Sequence, residues 1–168
     1  MDDALLTLFN DQIALEQSAS RSYRQMAAWA DANDYSGTAA WMLAQSVEET
    51  AHADIFIEFV LDRDQEVVLQ ALDAPRPSYD SLVDVFATAL AQEQSVTESI
   101  GQLYKAAQDA NDFRSLPLLN KFLQEQVEEE ASVSTVLGEL RMVEGNPTAT
   151  LMLDRELPGR RGGASPTG

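Results

Sequence analysis

Four glutamates and one histidine fall where helical spacing calls for apolar side chains. Glu16, Glu49, Glu93 and Glu129 each interrupt an apolar stripe that advances in alternating steps of three and four residues, and His52 follows Glu49 at i+3 on the same face. The first stripe reads Leu5, Phe9, Gln12, Glu16, Ala19, Tyr23, Met26, Ala30; the second reads Met42, Gln45, Glu49, His52, Phe56, Phe59. The third reads Leu82, Phe86, Ala89, Glu93, Val96, Ile100, Leu103, Ala107; the fourth reads Leu119, Phe122, Gln126, Glu129, Val133, Val136, Leu140, Val143. Burying an unpaired carboxylate costs several kcal/mol, and several in one cavity repel one another. A whole domain is stable by only about 5–15 kcal/mol. No Lys or Arg lies beside these positions on the stripes, so a pair of divalent cations is the expected neutraliser. Carboxylates and imidazole without thiolate suit first-row metals such as Fe(II), Mn(II) or Zn(II).

The elements that carry these residues must be long helices. Stretches rich in Ala, Leu, Gln and Glu are separated by sparse Gly and Pro. The expected helices run from about Ala4 to Ala32, from about Thr38 to Asp64, from an N-cap at Ser78 to about Asp109, and from a cap at Ser115 to near Gly145. Pro117 is tolerated in the first turn of the fourth, and Thr148 to Leu157 reads as a short fifth helix. The first and third connections are short and imply antiparallel neighbours. The second, containing Pro75 and Pro77, is about fifteen residues and can cross the length of a bundle. Each glutamate sits near the middle of its helix, so aligned helices bring all four to one level. The expected architecture is all-α: a four-helix bundle with one long crossover and a short C-terminal fifth helix. Residues 1–158 read as one domain and 159–168 as a flexible Gly/Pro/Ser-rich tail.

Composition narrows the class of function. The 168 residues carry 28 acidic and 11 basic side chains, a formal net charge of −17, which repels nucleic acid and anionic membranes and draws cations. The absence of cysteine excludes disulfides, thiolate zinc sites and Fe–S clusters. No apolar run approaches the roughly 18 residues of a membrane span, and the acidic start Met1-Asp2-Asp3 is unlike a secretory leader, so a cytoplasmic protein is expected.

At the residues of the polar layer the chain resembles the non-haem ferritins of prokaryotes, over about residues 4 to 157. The resemblance rests on Ala14-Leu15-Glu16, Val47-Glu48-Glu49-Thr50-Ala51-His52-Ala53, Ala91-Gln92-Glu93-Gln94 and Leu123-Gln124-Glu125-Gln126-Val127-Glu128-Glu129-Glu130, in that order and at those intervals. It implies a ferritin-like bundle with an A iron site of Glu16, Glu49 and His52. It implies a B site of Glu49, Glu93 and Glu129, with Glu49 bridging and Gln126 nearby. A third iron site would match Glu48, Glu125 and Glu128, and Tyr23 would stand beside the dinuclear centre. Bacterioferritins carry a second Glu-x-x-His on the fourth helix; here that place reads Gln126-Val127-Glu128-Glu129. The methionine that holds their haem would fall at Thr50, so no haem is expected. Lys121 stands where some prokaryotic ferritins have a tryptophan.

The resemblance implies an iron-storage ferroxidase that oxidises Fe(II) with O2 or H2O2, in a homo-oligomeric shell of 24 subunits, without nucleic-acid or membrane partners. Competing readings remain open on the residues alone. The metals could serve a di-iron or di-manganese oxygenase or a peroxide scavenger, or the chain could be a non-catalytic cage subunit. Glu48, Glu125 and Glu128 lie beside the seams, where an ordinary acidic surface competes with ligation, and Glu130 reads as solvated charge. Tyr23 could simply fill core and donate to a carboxylate. Trp29 and Trp41, off the stripes, read as packing or subunit contacts, and Asp109 and Asp112 as either channel or loop residues.

Overall fold

A computed structural model describes residues 1–160. Five helices follow in order: α1 (Asp3–Ala32), α2 (Ser36–Leu61), α3 (Leu82–Asp109), α4 (Leu116–Met142) and α5 (Pro147–Glu156), with a 3₁₀ turn at Leu157–Gly159. No strand occurs among the described residues. Four long helices and a short fifth are the all-α architecture that the seams predict.

Helix starts follow from capping side chains. Asp2 accepts the Leu5 N–H at 2.8 Å to begin α1, and Asn146 accepts the Ala149 N–H at 3.1 Å to begin α5. The start of α3 departs from expectation: the cap is Ser81, not Ser78. Pro75 and Pro77 hold the preceding backbone extended, Tyr79 tucks into the core, and the Ser81 hydroxyl accepts the Asp84 N–H at 3.2 Å while Asp84 accepts the Asp80 N–H at 2.9 Å. Ser115 precedes α4 but does not cap it with its side chain; its hydroxyl instead accepts from Arg63. Helix ends fall at residues that tolerate the left-handed region: Asp34, Asp64, Asn111 and Gly145 all have positive φ.

The connection between α2 and α3 spans twenty residues, Asp62 to Ser81, longer than expected because α2 stops at Leu61 and α3 starts late. It runs along α1 in the same direction. The Val68 N–H donates to Asn10, Gln70 to Asp11, Arg21 to the Leu72 carbonyl and Gln25 to the Pro77 carbonyl. This return path makes α3 antiparallel to α1 and parallel to α2.

The buried apolar side chains form two separate clusters. One gathers Tyr23, Trp41, Phe86 and Val133 at one end; the other gathers Phe9, Phe56, Ile100 and Phe122 at the other. The polar layer lies between them. Two stripe positions shift: Val60 rather than Phe59 fills the core, and Val143 is only half-buried. Trp41 packs against Tyr23 and Phe86, and Trp29 against Tyr35 and Tyr79, so both tryptophans pack within the subunit. Arg160 pairs with Glu139 and Glu156, and the rest of the tail expected to be flexible, from residue 161, lies outside the described residues.

Candidate metal centre

All five residues singled out in the seams are buried together in the layer between the two apolar clusters. Glu16 and Glu93 are wholly inaccessible, Glu49 and Glu129 are 2 % exposed and His52 is 8 % exposed. Ligand atoms of Glu16, Glu49 and His52 all lie within 4.8 Å of one another, the one such group among the described residues. The i, i+3 spacing puts His52 Nδ1 3.3 Å from Glu49 Oε2, and the edge of Phe122 braces the imidazole with ring centroids 5.1 Å apart.

Neutral donors hold the carboxylates. Gln12 donates to Glu16 at 2.7 Å, Gln45 to Glu129 at 3.0 Å, and Gln126 to Glu93 at 3.1 Å. The Tyr23 hydroxyl also donates to Glu93, joining α1 to α3. Among the described residues no Lys or Arg pairs with any of these four glutamates. Glu16 Oε2 and Gln45 Oε1 are buried without a partner. Such orphaned oxygens cost about 1–3 kcal/mol each unless a cation or donor meets them.

The protonation equilibria carry the same strain. Burial, with Glu49 beside it, holds the Glu16 carboxyl well above the ordinary range; burial and Glu93 do the same for Glu49. Burial raises Glu93 too, against the hydrogen bonds from Tyr23 and Gln126. Burial, with Glu48 and Glu93 adding, pushes Glu129 up to about 8. Burial and the charge of Glu93 push the Tyr23 phenol well above its ordinary 10, so at neutral pH it is a donor. A buried layer of four carboxyls reluctant to ionise, with bare oxygens and a nitrogen base, fits divalent cations by the chemistry of its donors.

A ferritin-like domain model matches residues 6–143. The chain belongs to the ferritin family. It is 31 % identical over 156 residues to the bacterial non-heme ferritin of Staphylococcus epidermidis, covering 93 % of this chain and 94 % of that one. It is 33 % identical over 153 residues to that of Staphylococcus aureus, covering 91 % and 92 %. Among solved structures, an open pore ferritin from the hyperthermophilic archaeon Archaeoglobus fulgidus superposes with a TM-score of 0.93 at 32 % identity, covering 96 % of this chain and 99 % of that one.

The remaining expected residues are distributed unevenly. Glu48 and Glu125 line a cavity of about 200 Å³ that reaches His52, with Lys121 at 3.7 Å from Glu125. Burial raises the Glu48 carboxyl, which His52 offsets and Glu125 reinforces. Glu128 is exposed and does not line this cavity. Glu130 is half-buried and accepts from Thr97 at 2.6 Å rather than standing free in solvent. Asp109 pairs with Lys105 at the surface, while Asp112 is locked to Arg63 at 2.8 Å, both neutralised within the subunit. Two partners went unseen in the sequence. Thr97 ties Glu130 and Gln126 together, and Ser99 donates to Gln12 at 2.6 Å. Hydroxyls at helical positions carry no signal of their own until the neighbouring helix is known.

Proposed function

We propose that this ferritin is an iron-storage subunit whose buried layer is a ferroxidase centre. The observation that carries the reading is the group of Glu16, Glu49 and His52. Their ligand atoms lie within 4.8 Å of one another, Glu16 Oε2 has no hydrogen-bond donor, and among the described residues no Lys or Arg supplies the missing charge. Glu16, Glu49 and His52 are read as one iron position, and Glu49, Glu93 and Glu129 as the other, with Gln126 orienting Glu93. Glu48 and Glu125, on the cavity that reaches His52, are read together with the exposed Glu128 outside it as a third cation position.

Fe(II) is the substrate. Two Fe(II) each lose one electron, and O2 takes both electrons with two protons to leave as H2O2; H2O2 can replace O2 as the oxidant. The hard, anionic oxygen donors favour the more highly charged product. The protein contributes position and field: three amides and one phenol fix Glu16, Glu93 and Glu129 before the substrate arrives, His52 stands beside Glu49, and the two apolar clusters exclude water above and below. Tyr23 keeps its proton and holds Glu93. The product Fe(III) is stored as mineral inside a shell of 24 subunits. With Thr50 at the place of the haem methionine, the reading includes no haem. The cytoplasm is the proposed location; none of the described helices is long and apolar enough to cross a membrane.

The test is anaerobic Fe(II) loading followed by air, watching Fe(III) absorbance and O2 consumption. Glu49→Ala, which removes a ligand from both positions, is expected to slow oxidation by at least about tenfold. Oxidation at the parental rate by that variant sinks the assignment. Particle mass together with iron retained per subunit tests storage, since a monomer or dimer cannot enclose a mineral.

A further inference from the structure

We infer that Ser99 and Gln12 form a positioning relay for Glu16, and so set the affinity of the Glu16–Glu49–His52 position without affecting the other. This rests on the divalent-cation reading of that group. The relay crosses from α3 to α1: the Ser99 hydroxyl meets Gln12 Oε1 at 2.6 Å, and Gln12 Nε2 meets Glu16 Oε1 at 2.7 Å. Gln12 and Glu16 are both wholly inaccessible, and Glu16 Oε2 is the oxygen left bare.

The direction of the relay follows from the chemistry of its members. A carboxylate that binds a cation is ionised and only accepts, so the Gln12 amide must turn its N–H towards it. That leaves Gln12 Oε1 facing Ser99, where only a donor satisfies it, and a hydroxyl supplies one. Without the hydroxyl, Oε1 is buried with no partner, and nothing on the Ser99 side now holds the amide against turning over. The turned amide presents oxygen to the Glu16 carboxylate, two acceptors in contact. Glu16 then rotates or holds its proton, and the bare Oε2 is no longer presented towards Glu49 and His52.

The other two amide-held carboxylates do not depend on Ser99. Gln45 holds Glu129, and Gln126 with Tyr23 holds Glu93. A change at Ser99 is therefore expected at one position and not the other, whereas a general loosening of the core would affect both.

The experiment is calorimetric titration of the assembled, chelator-treated protein with Zn(II), which has no redox chemistry. His52→Ala first identifies the binding class that belongs to the nitrogen-containing position. Ser99→Ala is expected to weaken that class by roughly tenfold to a hundredfold, the usual effect of losing a partner behind a ligand, and to leave the other class within about twofold. Gln12→Met, of similar length and without a donor, is expected to weaken it at least as much, and Ser99→Thr to restore it. The relay is refuted if Ser99→Ala and Gln12→Met both leave the His52-dependent class unchanged, or if both classes weaken alike. A parent protein with no His52-dependent class would remove the underlying reading of the site as well, and is thereby distinguishable.

Discussion

Glu129→Gln should make the cation-free protein more stable, and the gain should depend on pH in a defined way. Glu129 is 2 % exposed and its carboxyl is pushed from an ordinary 4.5 to about 8. A carboxyl raised in the folded state keeps its full contribution to stability below the unfolded value and loses it as pH climbs to the folded one. At pH 7 folding must therefore place a proton on a group that the unfolded chain leaves ionised. The interval of 2.5 units between the ordinary 4.5 and pH 7, at roughly 1.4 kcal/mol each, makes this about 3 kcal/mol. At pH 5 the same reasoning leaves about 1 kcal/mol. Glutamine is isosteric, carries no proton requirement, and its oxygen still accepts from Gln45, which now lies 3.0 Å away. The assay is denaturant or thermal unfolding of chelated protein at fixed protomer concentration, since assembly shifts apparent stability. Glu129→Gln is expected to exceed the parent by about 3 kcal/mol at pH 7 and about 1 at pH 5. With Zn(II) at about a hundred times its Kd the parent gains about 2.7 kcal/mol that the variant lacks, closing the gap. A variant less stable than the chelated parent at pH 7, or a gain equal at both pH values, would refute the reasoning.

Cation binding should also release protons. With Glu129 near 8, roughly nine-tenths of it is protonated at pH 7 and must ionise to serve as a ligand. Titration of the parent in buffers of different ionisation enthalpy is expected to show about one proton released from this residue, absent in Glu129→Gln; equal release by both proteins contradicts it. A different part of the fold makes the third prediction. The start of α2 has no side-chain cap of its own; Asp154 of α5 accepts from the Gly37 N–H at 3.0 Å and from the Thr38 N–H and hydroxyl, each at 2.7 Å. Asp154→Ala strands these buried donors and should cost about 3 kcal/mol. Gly37→Ala would set a Cβ 1.7 Å from the Asp154 carbonyl oxygen and push α5 off. Both should lower the melting temperature and open the Gly145 turn to proteolysis, and unchanged cleavage there would count against α5 being held by this contact.

The sequence determined most of the buried polar layer. A glutamate at the centre of a 3–4 seam has one face to occupy, and helices of similar length bring their centres to one level in either direction. Glu16, Glu49, His52, Glu93 and Glu129 were legible for that reason, as were the bundle and its single crossover. Helix starts were less so. Ser78 and Ser81 are both capable caps, and the choice fell to Ser81 because Tyr79 finds a place in the core and Asp84 closes a reciprocal bond, facts that involve the whole end of the bundle. What only the tertiary structure decided is how the layer is held. Ser99 behind Gln12, Gln45 behind Glu129 and Asp154 at the head of α2 join residues 84 to 117 positions apart only through helix packing, and a polar side chain reads the same in sequence whether it faces solvent or another helix. Helical spacing is a local property and shows in the chain; hydrogen-bond partners across helices depend on rotation and register, which the packed bundle alone fixes.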